Sequence, residues 1–310
     1  MLAGKPVYPF WYALILLNLF TLYPRCSVAD NDGVLSSSVS IELGADQAGG
    51  QEQFISLDTL IDAQHLVYFA YGRYQYTQSN RQRPDNRSND IINQLYSFTV
   101  EDIADSPFNT GFGLEWWGND NVLTMQTLNA LLRYNWRYLS FDLMPQIQRI
   151  RFVDIPVFDS NKKSFDVSAN GWVVSATYFS TDNWFLQLQH MENSYQIQES
   201  VLGILLARAE NSADGRLAVR GRNGRYFDQA TVLEVKRSTL TIGTSIDVVD
   251  IAVDWSQGES LIGSFISEDI RLSIGLPMAN NFSVIGKVGQ LRADAQSNLN
   301  YVNFSVTYHW

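Results

Sequence analysis

The last ten residues constrain the fold most. They read Tyr301-Val302-Asn303-Phe304-Ser305-Val306-Thr307-Tyr308-His309-Trp310. Val302, Phe304, Val306, Tyr308 and Trp310 share one parity, and Asn303, Ser305, Thr307 and His309 share the other. Side chains on a strand alternate faces with period two, so this segment has one apolar face and one polar face. It closes on an aromatic residue. Such a strand suits a wall with hydrocarbon on one side and enclosed water on the other.

The same alternation recurs upstream. Val39, Ile41 and Leu43 oppose Ser40, Glu42 and Gly44, and Phe112, Leu114 and Trp116 oppose Gly111, Gly113 and Glu115. Ile270, Leu272, Ile274 and Leu276 oppose Asp269, Arg271 and Ser273. Along the chain the pattern predicts fourteen strands, with twelve as the alternative. Connections after the even strands fall near 62–64, 102–107, 137, 181–183, 247 and 277–281, and all are short. The other set is mostly longer, at 78–90, 154–165, 194–228, 257–261 and 293–298, with tight members at 48–51 and 118–121. Ser256-Gln257-Gly258 reads as loop. Pro145 has no N–H for a ladder, so it predicts a bulge or an outward-facing nitrogen. Trp136, Tyr138, Tyr178, Trp184, Phe282 and Trp310 gather near the short turns, as an interfacial girdle would.

Composition narrows the class. Only 17% of the 310 residues are charged, against the ~25% usual in soluble domains. The net charge of −10 argues against a nucleic-acid partner. Residues 1–29 read as a secretory signal peptide: Lys5, then an apolar stretch from Phe10 to Tyr23, then Ser27-Val28-Ala29 before Asp30. A retained membrane anchor is the alternative, but the run is short of the ~20 residues a span needs. Residues 30–36 are expected to form a polar N-terminal segment and 37–310 the β domain, including the long loop 194–228. Cys26 is the only cysteine, so no disulfide is expected. No later stretch is apolar enough for a membrane helix. A chain that spans a bilayer with strands must close, because lipid does not tolerate open sheet edges.

The terminal strand and the strand pattern together resemble Gram-negative outer-membrane β-barrel proteins. The resemblance implies an all-β, closed antiparallel transmembrane barrel in the outer membrane. It implies contact with outer-membrane lipid and lipopolysaccharide, and recognition by the barrel-assembly machinery through the strand ending in Trp310. A porin-like passive pore for small polar solutes is the expected role. A sealed structural or adhesive barrel, an outer-membrane barrel hydrolase and a soluble β-sandwich are the alternatives.

The polar parity supplies the candidate residues. Glu115, Arg133, Asp142, Asp250, Asp254, Arg271 and Lys287 are expected to line the lumen and set selectivity, along with Asp269. In a sandwich the same residues would face outside water. A basic cluster, Arg208, Arg216, Arg220, Arg222 and Arg225, follows the apolar run Val201 to Ala207. Guanidinium forks match carboxylates and phosphates, so a loop over the pore mouth is one reading and a surface loop with a short helix the plainer one. His65 and His309 fall near the periplasmic rim. His190 and Ser194 share a parity, which leaves a dyad open beside the plainer reading of a satisfied histidine. Metal-ligand spacings, phosphate-binding glycine loops and nucleophile elbows are missing, so no cofactor, metal or catalytic residue is expected.

Overall fold

The structure is a computed structural model. It describes residues 37–47, 49–61, 64–78, 89–103, 106–119, 123–153, 164–197, 233–261, 266–279, 281–293 and 298–310. The expected signal at 1–29, the segment 30–36 and the five loop arginines lie outside these residues.

Fourteen strands run in chain order. They are β1 (Ser38–Asp46), β2 (Gln51–Leu60), β3 (His65–Gln78), β4 (Asn89–Asp102), β5 (Phe108–Asn119), β6 (Leu123–Trp136) and β7 (Leu139–Val153). Then come β8 (Ser164–Phe179), β9 (Trp184–Gln196), β10 (Glu234–Ile246), β11 (Val249–Ser260), β12 (Ile266–Ala279), β13 (Phe282–Ala293) and β14 (Leu299–His309). Each pairs antiparallel with the next, and β1 pairs with β14 from Ser38↔His309 to Asp46↔Tyr301 without interruption. The ring is closed and has no edge strand, which is the condition for strands to cross hydrocarbon.

The short turns share one end of the barrel, and three of them share a backbone device. Arg137, Asn183 and Asp247 have φ of 54°, 63° and 53°. Tight hairpins use this left-handed region because it matches the twist of the flanking strands. Asn and Asp tolerate it through local hydrogen bonds, whereas Arg137 adopts it at a cost of roughly 1–2 kcal/mol.

Several local expectations change. Strand β9 continues to Gln196, so Ser194 is strand rather than loop. Strand β11 runs through Ser256, Gln257 and Gly258, where a loop was expected, because β12 pairs with them as Asp269, Glu268 and Ser267. Pro145 makes no bulge. Pairing of β6 with β7 runs to Asn129↔Gln146, stops, and resumes at Leu132↔Leu143 in the same register. The missing N–H removes ladder contacts locally without shifting the strand. The irregularities lie instead between Glu234 and Lys236 and between Pro277 and Ala279, and Pro277 itself pairs with Ser283 inside the sheet.

The two faces separate as the alternation predicts. Leu272, Ile274, Val302 and Phe304 point outward and are 37–52% exposed. Glu42, Gln146, Asn193, Asn303 and Ser305 point inward and are buried. Tyr74, Leu95, Trp117, Met125 and Phe152 are also buried, all on the inward parity of β3–β7. The packed interior is therefore the inner wall of the ring.

Candidate functional site

The inner wall is the candidate site, and its charges are arranged in groups along it. On β4, β6 and β7, Arg133 bonds Glu101 and also Asp142, the latter at 2.8 Å. Ser175 on β8 donates to the other oxygen of Asp142 at 3.0 Å. On the far side, Arg271 meets Asp254 at 2.8 Å, and Thr241 donates to Asp254 at 2.6 Å. Lys287 meets Glu42 at 2.6 Å, and the Asn303 amide donates to Glu42 and Glu52 at 2.7 and 3.3 Å. Arg237 meets Glu234 at 2.9 Å beside the β10 irregularity.

Acids outnumber bases on this wall. Glu42, Asp46, Glu52, Asp58, Glu101, Glu115, Asp142, Glu234, Asp250, Asp254 and Asp269 occupy inward positions. Among the described inward residues only Arg133, Arg237, Arg271 and Lys287 oppose them. Several carboxylates take neutral donors: Tyr74 to Asp46 at 2.9 Å, Ser245 to Asp250 at 2.6 Å, and Tyr301 to Asp269 at 3.0 Å. One oxygen of Glu115 is buried with no hydrogen-bond partner among the described residues. An excess of acids over bases along one enclosed wall gives it a negative potential, which attracts cations.

Small residues make these contacts possible. Gly171 lies against Asn193, and any Cβ there would overlap its amide. That space lets Asn193 accept from Gln146 at 2.8 Å and donate to the Glu234 carbonyl at 3.0 Å, which links β7, β9 and β10.

All seven lumen candidates, Glu115, Arg133, Asp142, Asp250, Asp254, Arg271 and Lys287, point inward. The structure joins Arg133 to Asp142 and Arg271 to Asp254, pairs on adjacent strands. Glu42, Glu101, Glu234 and Arg237 were not singled out from the sequence. The parity of Glu42 with Ser40 was a usable signal. Glu234 and Arg237 gave none, because the register irregularity puts residues of opposite parity on one face.

The histidine expectation resolves outside the lumen. His190 points outward, its Nδ1 is 2.9 Å from Ser238 Oγ, and its ring lies 5.5 Å from Trp172. Ser194 is four residues along the same extended strand, roughly 13 Å away at ~3.3 Å per residue. The two do not form a dyad.

The outer wall has three bands. The aromatics near the short turns are exposed, with Trp136 at 52%, Trp184 at 40% and Trp310 at 43%. Tyr178 stacks near Trp184 at 5.3 Å and Phe282 near Tyr308 at 4.8 Å. An apolar belt follows. Above it, toward the longer connections, outward positions turn polar: Gln94, Gln126, Arg149, Glu192, Lys236, Glu268 and Asn300. An apolar band between an aromatic girdle and a polar rim is what a bilayer requires of a barrel.

No family model matches the chain, and no curated protein matches it. Solved structures do. A loop-deletion mutant of OmpT, an outer membrane protein of Vibrio cholerae, is 9% identical, with 88% of this chain and 97% of that chain covered and a TM-score of 0.45. Pseudomonas aeruginosa OpdK, solved with vanillate, is 9% identical over 89% of this chain and 97% of its own, with a TM-score of 0.42. The KdgM porin is 10% identical over 88% and 99%, with a TM-score of 0.38. The chain is similar to these proteins, and its own uninterrupted ring of pairings establishes the fold as a closed fourteen-stranded antiparallel β-barrel.

Proposed function

We propose that this protein is an outer-membrane channel that passes small polar solutes passively and favours cations. The observation that carries the reading is the inner wall, with eleven carboxylates facing four bases across the described strands. Outward positions of those strands carry six acids and five bases, so most of the strands' acidity belongs to the lumen. Opposed charges along one wall hold each other in place, and the remaining carboxylates supply the field a cation meets. The export signal over 1–29 and recognition of β14 by the barrel-assembly machinery belong to the same reading.

The test is recording from the refolded protein in planar bilayers under a potassium chloride gradient. A reversal potential of cation-selective sign is expected. An anion-selective sign would overturn the lumen argument. Zero conductance would favour the second reading, a sealed barrel, which the burial of Tyr74, Leu95 and Trp117 on the inner wall supports. Neutralising Arg208, Arg216, Arg220, Arg222 and Arg225 tests the loop separately: a changed selectivity would place these arginines in the solute path.

A further inference from the structure

The outer wall carries a concavity that passage of solutes does not use. It has a volume of about 470 Å³ and lies across β3–β7. Phe69, Phe98, Leu114, Trp116, Leu128 and Ile147 line it, all on the outward parity. It opens onto the apolar belt and rises to Gln126 and Arg149, which pair side by side across β6 and β7 at the polar rim. One step further along, Arg151 pairs with Asp166.

The upper end carries unbalanced positive charge. Arg149 and Arg151 share one carboxylate, Asp166, at 2.5 and 3.0 Å. Their side chains are 59% and 53% exposed, so both keep donors directed to the surroundings. A volume in the range of small-molecule sites, walled by aromatic and aliphatic groups, fits one or more acyl chains. Inside a bilayer an apolar groove alone selects weakly, because lipid tails are as apolar as leucine. Selection must come from the head. Guanidinium groups recognise phosphate through paired N–H bonds, and they stand where a headgroup would lie when its chains fill the groove.

We propose that this groove is a binding site for a phosphorylated acyl glycolipid of the outer leaflet, with acyl chain in the groove and phosphate on Arg149 and Arg151. The proposal rests on the membrane placement of the apolar belt and not on conduction. Gln126 adds an amide able to bond a sugar hydroxyl. The rim opens toward the longer connections, on the side opposite the short turns, which is the outer leaflet if the short turns are periplasmic.

The test uses refolded protein, prepared without lipopolysaccharide, in nanodiscs and measured by native mass spectrometry. The probes are diphosphoryl lipid A, the same lipid with both phosphates removed, and phosphatidylglycerol. Wild type is expected to bind the diphosphoryl form about tenfold or more tightly than the dephosphorylated form, the scale of charged hydrogen bonds. Arg149→Gln with Arg151→Gln should abolish that preference. Leu128→Trp, which fills the groove, should weaken both lipid A forms while leaving the ratio. An unchanged ratio in the arginine variant overturns the proposal. So does equal binding of phosphatidylglycerol, or cross-linking of two barrels through this face. Both arginines are exposed, so their substitution removes no buried contact, and the arginine variant decides alone if Leu128→Trp misfolds. Failure of wild type to insert into lipid at all would instead sink the membrane placement.

Discussion

Lys287 on β13 reaches across β14 to Glu42 on β1, with Nζ 2.6 Å from Oε2 and the two residues 245 positions apart in the chain. The pair straddles the seam where the ring closes. Both side chains are largely buried, at 13% and 7% exposure. Removing one partner leaves the other charge buried without compensation. Lys287→Ala should lower unfolding stability by about 2–4 kcal/mol, near the lower part of the range for broken buried pairs. Urea denaturation in lipid vesicles measures it. Pairing Lys287→Met with Glu42→Gln should recover most of the loss, and a double variant as weak as Lys287→Ala would count against the pair.

Arg133 neutralises Glu101 and Asp142 together. Arg133→Gln should therefore raise cation selectivity, and Asp250→Asn, which removes an exposed inward carboxylate, should lower it. Both effects should shrink when salt rises from 0.1 to 1 M, because the screening length falls from ~10 Å to ~3 Å. Reversal potentials at the two salt levels read this directly. Equal selectivity in wild type and both variants would remove these residues from the solute path.

Arg137 holds φ of 54° in the β6–β7 turn. Glycine adopts that conformation without a Cβ clash, so Arg137→Gly should stabilise the barrel by up to about 1 kcal/mol, the gain being offset by the freer unfolded chain. Asn183→Ala, at φ 63°, should destabilise by about 1 kcal/mol. Opposite signs in thermal unfolding are the expected outcome.

A methyl group at residue 171 meets the Asn193 amide. Gly171→Ala should cost about 1–3 kcal/mol, as overpacking does, and break the link from Gln146 to the Glu234 carbonyl. The methyl also meets the Glu192 carbonyl oxygen, so Gly171→Ala combined with Asn193→Ser should stay less stable than wild type. Denaturation midpoints of the three proteins decide it.

Much of the architecture is legible in the sequence. Alternation gave the fourteen strands and placed Glu115, Asp142, Asp254, Arg271 and Lys287 on the wet side, because a two-residue period is a local property of extended backbone. It failed where locality fails. Ser256 to Gly258 look like a turn alone, and become strand because β12 supplies partners. Glu234 and Arg237 share a face only through an irregular register.

By itself the chain determined which side chains face outward and which face the enclosed space, since that needs only neighbours in sequence. The tertiary structure decided who meets whom: Lys287 with Glu42, Arg133 with Glu101, Arg149 and Arg151 with Asp166. Those meetings depend on register, and register is set by closing fourteen strands on one another, which no short segment encodes.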